Sequence, residues 1–201
     1  MPYQIKRFIN RKWFDWNCRR ILASPPVISN QDGPFIATLL HTHAVVPYLV
    51  AIKSFFNYGI SDDVVILNDG SVTDEDQRNL RFHIKNCKIY ELEDYQHCRL
   101  PTGGCWERLH LVSRLVKQKF TIQLDSDTLS RDSLTEVQLA VSRNIPFCLP
   151  GQEHARHGTV ESFAPNWTRS RGDFVQTLSE LELLNENERW PMYAQGCATL
   201  L

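Results

Sequence analysis

The sequence predicts an α/β fold, a three-layer α/β/α sandwich built on a mainly parallel central sheet. Three observations carry that expectation. Short apolar runs recur at Phe35 to His41, Val64-Val65-Ile66-Leu67, Cys87 to Leu92 and Phe120 to Leu124. The stretches between them are long enough for one helix each and carry helix start and stop signals, and strands joined through helices run parallel with both faces covered. Clusters of Asp, Asn, Gly and Pro close the runs, so polar loops fall beyond the strand ends, where wound sheets bind their ligands.

Taken in order, residues 1–34 form a basic, aromatic extension that ends in the turn signals Ser24-Pro25-Pro26 and Asn30-Gln31-Asp32-Gly33-Pro34. The fold proper begins with a buried strand at Phe35 to His41. Pro47 suits the first turn of a helix whose Leu49, Ile52 and Phe56 share a face, and Gly59 ends it. The strand Val64 to Leu67 stops at Asn68-Asp69-Gly70-Ser71, after which Thr73 or Asp74 caps a helix to about Ile84. A third strand spans Cys87 to Leu92. Pro101-Thr102-Gly103-Gly104 is a loop, and a helix follows from about Cys105 to Gln118. The strand Phe120 to Leu124 comes next, then a helix over Ser133 to Ser142 and a short strand at Pro146 to Leu149. Residues 151–192 are polar and weakly periodic, which predicts loops over the site and one helix over Asp173 to Leu184. Tyr193 to Leu201 turns apolar again and reads as a strand.

With 201 residues and 42% hydrophobic content the chain suits one domain with a sizeable core. A net charge of -1 gives no reason to expect nucleic acid as a partner. The charge is unevenly spread: the first 20 residues carry six basic residues against Asp15. This head also holds Phe8, Ile9, Trp13, Phe14 and Trp16. It reads as a terminal segment packing its aromatics on the domain, with a peripheral arm on an anionic membrane surface as the alternative. No apolar run is long enough to span a bilayer, and the start lacks the apolar core of a signal peptide. The six cysteines have no CxxC pairing, which suits thiols in a reducing compartment. The expected location is cytoplasmic, with membrane association if the head acts as an arm.

Asp125-Ser126-Asp127 closes the run Phe120 to Leu124. Side chains alternate along a strand, so residues 125 and 127 can present both carboxylates on one side at the rim of the sheet. Such a pair of hard oxygen ligands suits Mg²⁺ or Mn²⁺, and a divalent ion there can neutralise a diphosphate leaving group. Asp69 also falls at a strand end and points to the same rim. His41 and His43 alternate after the first strand and His154 and His157 sit in the polar loop; without partner carboxylates they read as packing, surface or loop residues.

Taken together these residues resemble the GT-A glycosyltransferases, of the family 2 or family 8 type, over roughly Phe35 to Leu201. Gln123-Leu124-Asp125-Ser126-Asp127-Thr128 looks like the DxD motif of that fold. Ile66-Leu67-Asn68-Asp69-Gly70-Ser71 resembles its DDGS element, with Asn68 where the first Asp often stands. The segment Cys105-Trp106-Glu107-Arg108-Leu109 is similar to the ARL segment, and Tyr193-Ala194-Gln195-Gly196-Cys197 to the segment lining the donor sugar. The resemblance implies a nucleotide-sugar-binding domain over 35–201 and transfer of a sugar from a nucleoside-diphosphate sugar to an acceptor hydroxyl on a glycan, lipid or protein. It implies Asp125 and Asp127 at a Mn²⁺ or Mg²⁺ ion, and Asp69, Arg108, Asp125 and Gly196 against the donor. It assigns no catalytic base: in such enzymes the base lies beyond the strand with which this chain stops, so a fragment lacking the acceptor part is expected. Glu153 and Glu161 are the nearby loop carboxylates that could substitute.

Three rival readings stand beside it. One is a catalytically incomplete nucleotide-sugar-binding or interaction domain. A haloacid dehalogenase-like phosphatase also opens on a strand-end aspartate pair, but Leu129 stands in place of its Thr or Val. A sugar-phosphate nucleotidyltransferase needs a glycine-rich, Arg-bearing loop after its first strand, and His41-Thr42-His43-Ala44 is unlike one.

Overall fold

The computed structural model describes residues 3–59, 62–98, 100, 102–103 and 106–147, and the strands Arg156–Thr159 and Met192–Gln195. The chain divides into two compact units, Met1–Phe147 with Leu201 and Cys148–Leu200.

The first unit is α/β. In chain order it holds α1 (Tyr3–Cys18), β1 (Val27–Ile28), β2 (Phe35–Leu40), α2 (Val45–Asn57), β3 (Asp63–Asn68), α3 (Asp74–His83), β4 (Ile84–Lys85), β5 (Lys88–Glu91), α4 (Trp106–Leu115), β6 (Thr121–Gln123) and α5 (Thr135–Arg143). The main sheet has the order β5-β3-β2-β6, every neighbour parallel, and β1 pairs with β4, also parallel. In the second unit β7 (Arg156–Thr159) and β8 (Met192–Gln195) pair antiparallel.

Alternating side chains of the strands feed two separate cores. Ile36, Leu40, Val64, Ile66 and Ile122 pack with Val45, Tyr48, Leu49 and Ile52 of α2, Leu80 of α3 and Val137 of α5. Phe35, Ala37, Val65 and Leu67 pack on the other face with Leu111, Val112 and Leu115 of α4. A strand buried on both faces has no polar side to show, and this is why β2 and β3 read as unbroken apolar runs rather than as alternation. The arrangement is compatible with three layers.

The helix signals act as physical chemistry predicts. Pro47, third in α2, lies in the first turn, where its missing N–H is one of those without an intrahelical partner. Gly59, at φ 135°, takes up the chain just past the helix. Thr73 is the N-cap of α3: its hydroxyl accepts from the Asp76 amide at 3.2 Å while the Asp76 carboxylate accepts from the Thr73 amide at 3.1 Å, a reciprocal capping box.

Four expectations are corrected. The head does not pack its aromatics on the domain: it is the helix α1, whose Phe8, Trp13 and Trp16 are 62%, 68% and 68% exposed. Among its described residues Cys18, at its end, is buried. No strand forms at Pro146-Phe147, the described part of the expected strand 146–149, because Asn144 leaves α5 in the left-handed conformation and the chain continues irregularly. The polar stretch 151–192 contains β7, which its weak periodicity concealed, since the ladder to β8 satisfies its backbone without an apolar face. The closing strand starts at Met192 and its described part ends at Gln195. The helix expected over 173–184 lies outside the described residues.

Tyr48 is fully buried and its hydroxyl has no hydrogen-bond partner among the described residues. Burial pushes its phenol pKa up. Tyr48→Phe removes a desolvated hydroxyl and keeps the ring, so we expect it to stabilise the first unit by about 1 kcal/mol. Urea unfolding of the two proteins measures this, and a loss of more than that amount means the hydroxyl has a partner.

Candidate functional site

The order β5-β3-β2-β6 contains one reversal. From β2 the chain steps through α2 to β3 and through α3 to β5, all on one side of β2; after α4, on the opposite face, it returns to lay β6 along the other side of β2. The carboxyl ends of β2 and β6 therefore bound the crevice at which open parallel sheets bind ligands.

Asp125 stands at that crevice. Its carboxylate receives Arg108 Nη1 of α4 at 3.0 Å, an ion pair between side chains 29% and 24% exposed. Burial raises the Asp125 pKa and the charge of Asp127 adds to that; Arg108 and a hydrogen bond from the buried Gln123 oppose them. Asp127 is exposed. The two aspartates are not presented by strand alternation, as the sequence suggested. β6 ends at Gln123, and the Thr128 amide donates to the Asp125 carbonyl at 3.2 Å, so residues 125–128 form a turn. Within this turn the charge of Asp127 acts on Asp125, and the opposite charge of Arg108 acts on it more strongly.

Asp69 follows β3, which is separated from β6 by β2. Ala37 is level with Gln123 and Leu40 with Asn68. β3 therefore runs on past the level at which β6 stops, and Asp69 follows its last residue. The Asp69 carboxylate accepts from the Ser71 amide at 2.9 Å and the Ser71 hydroxyl at 2.6 Å, the geometry of an Asx turn. Ser71 Oγ in turn accepts from the Thr42 amide at 3.0 Å, which ties this loop to the residues that leave β2. His43 is exposed beside a cleft of about 530 Å³, and the ring of His41 stands edge-on to it at 6.2 Å.

Asn68 has a role that a comparison of motifs does not reveal. It is buried, its Oδ1 accepts from the Gly70 amide at 2.9 Å and the Val72 amide at 3.1 Å, and its Nδ2 donates to Glu91 Oε2 at 2.7 Å. Gly70, at φ 91°, makes the return that brings its amide back to Asn68. An aspartate keeps both acceptor bonds but loses the donor and faces Glu91 with a like charge. We expect Asn68→Asp to cost about 1–3 kcal/mol at pH 8 and clearly less at pH 5, where one carboxyl takes up the shared proton. Asn68→Asp combined with Glu91→Gln recovers most of the loss, which chemical denaturation at the two pH values measures.

Glu107, beside Arg108, is buried, and its Oε1 accepts from the Gly103 amide at 2.8 Å, closing the loop that leads into α4. A buried glutamate next to an arginine carries no local sequence signal of that kind.

A divalent ion suits this donor set in one specific way. No cluster of three or more His, Cys, Asp and Glu ligands occurs among the described residues. Mg²⁺ and Mn²⁺ are commonly held by one or two carboxylates, the rest of the shell being water and substrate phosphate. Asp127 is exposed and Asp125 is held by Arg108; these are the two carboxylates that could hold such an ion. Gly196, Glu153, Glu161 and His154 lie outside the described residues, and of His157 only the backbone, in β7, is described. No model of a known protein family and no curated protein matches the chain.

Proposed function

We propose that the chain is a GT-A type glycosyltransferase that takes its sugar from a nucleoside-diphosphate sugar. The observation that carries the reading is the coincidence of chain reversal and chemistry: the paired Arg108 and Asp125, with Asp127 beside them, stand where β2 and β6 part. A general α/β sheet needs no acidic pair and no arginine at that crevice; a metal-assisted diphosphate site has a use for both.

Asp127 and Asp125 would hold a divalent ion, which would supply neutralising charge to the departing diphosphate. Arg108 spends one N–H on Asp125 and keeps the others for donor phosphate oxygens, whose charge suits its planar fork. Asp69, preset by Ser71, offers an acceptor to the base or ribose. In the transfer the bond from the anomeric carbon to the diphosphate oxygen breaks, the diphosphate keeps the electron pair, and the acceptor hydroxyl oxygen bonds to the same carbon and gives up its proton. No residue is assigned as the base for that proton.

Thermal unfolding across a panel of nucleoside diphosphates, with and without Mn²⁺, tests donor binding. The expected result is a rise in melting temperature that needs Mn²⁺ and favours one base. No rise with any nucleotide overturns the reading. Release of nucleoside diphosphate from the matching nucleotide sugar then separates a transferase from a binding domain, and release of phosphate from simple phosphoesters in its place identifies a phosphatase.

A further inference from the structure

An apolar stripe of α1 faces solvent. Ile5, Ile9, Trp13 and Trp16 follow one another at intervals of four, four and three residues, which sets them in one stripe along the helix. They are 46%, 46%, 68% and 68% exposed. A helix that only packs on its own domain turns such a stripe inward. Among the described residues, Cys18 is the buried residue of α1, and Phe8 and Lys12 line a cleft with Val46 and Pro47 of α2.

We propose that this stripe lies in the headgroup region of an anionic membrane and holds the chain on its surface. Charge selects that occupant. Lys6 and Lys12 flank the stripe, and Arg19 and Arg20 follow the helix; all four are exposed, and none is paired with a carboxylate among the described residues. Residues 1–20 contain a single acidic residue, Asp15. On the side of Lys12 the helix borders the cleft of about 530 Å³, which Lys12, Arg19 and His43 help to line. The rest of the chain is net acidic, since the whole is -1 although its first 20 residues hold six basic groups and one acidic. An anionic surface therefore attracts this end and repels the remainder, which orients the chain. Tryptophan rings, apolar in body with one polar N–H, settle at the level of the headgroups. With 16 residues α1 is about 24 Å long, and no helix among the described residues is long and apolar enough to cross a membrane, so the contact is interfacial. A protein partner with an apolar groove is the other conceivable cover, but a basic rim on both flanks of a tryptophan stripe matches lipid phosphates more closely.

Co-sedimentation of the full chain with vesicles tests the proposal independently of any enzymatic activity. The probes are phosphatidylcholine vesicles and phosphatidylcholine vesicles with about one-third phosphatidylserine, each at about 0.1 M and about 0.5 M salt. We expect binding to the anionic vesicles, at least roughly tenfold weaker at the higher salt, and weak binding to the neutral ones. The variant Trp13→Glu with Trp16→Glu should lose at least about tenfold in partitioning while keeping its melting temperature, because both rings stand in solvent. No binding to the anionic vesicles overturns the proposal, and so does binding that the double variant leaves unchanged. Self-association of the wild type that the variant abolishes, in the absence of vesicle binding, also overturns it and assigns the stripe to a second copy of this chain.

Discussion

Asp127→Ala is expected to abolish the manganese-dependent stabilisation by a nucleoside diphosphate and to leave the melting temperature of the ligand-free protein nearly unchanged. The two halves of that result have different causes. Asp127 is exposed, in a turn whose backbone bond runs from Thr128 to Asp125, so truncation removes no packing and stability stays within about 0.5 kcal/mol. The lost ligand effect is larger. A ligand at about 100 times its dissociation constant adds about 2.7 kcal/mol, which for a chain of this size is about 5–10 °C. Acid should remove the same stabilisation in the wild type. Burial and the neighbouring Asp127 raise the Asp125 pKa, so on acidification Asp125 takes up its proton at a higher pH than an ordinary carboxyl does, and a cation loses that partner first. Differential scanning calorimetry with and without Mn²⁺ and nucleotide, at pH 8 and over a series of falling pH, shows both effects. A shift that survives in Asp127→Ala removes the aspartate pair from the site.

How much of this was legible in the sequence follows from where each signal resides. β2 and β3 announced themselves because a strand covered on both faces must be apolar throughout, and the capping box at Thr73 and Asp76 is a local pattern four residues long. The ends of β3 were clipped, since Asp63 and Asn68 are polar yet buried, made tolerable by Lys88 and Glu91, which are distant in sequence. β1 and β4, two residues each, are too short to carry a period. The strand order is a tertiary fact and could not be read from one chain, although the crevice depends on it. The sequence marks Arg108 and Asp125 separately but not as partners, because they are 17 positions apart with the whole turn from α4 into β6 between them. The α1 stripe was present as a run of aromatics and was read as packing; a helix that turns its apolar side to solvent breaks the rule by which such runs are interpreted.

Asp62→Asn is expected to flatten the dependence of stability on pH. Asp62 enters β3 at the amino edge of the sheet, 4% exposed, and its Oδ2 has no hydrogen-bond partner among the described residues. Its neighbour Asp63 has Lys88 at 2.6 Å; Asp62 has only the more distant charge of Lys119, whose ammonium donates to the Gln31 carbonyl. Burial, partly offset by Lys119, pushes the Asp62 pKa from 3.8 up to about 7. The folded state therefore holds this proton where the unfolded chain has released it, and between those two values folding takes up a proton. Stability attributable to Asp62 is full below about pH 4, falls as the pH rises to about 7, and is level beyond, with a span of at most about 4 kcal/mol. Asparagine cannot titrate, so the variant loses this fall whatever constant cost its amide adds. Urea denaturation at pH 4, 6 and 8 gives the comparison, and parallel curves for the two proteins exclude Asp62 as the buried acid. The residue lies at the opposite edge of the sheet from Asp125 and Asp127. Its effect should therefore add to that of Asp127→Ala, and nucleotide binding at pH 8 should be the same in Asp62→Asn as in the wild type.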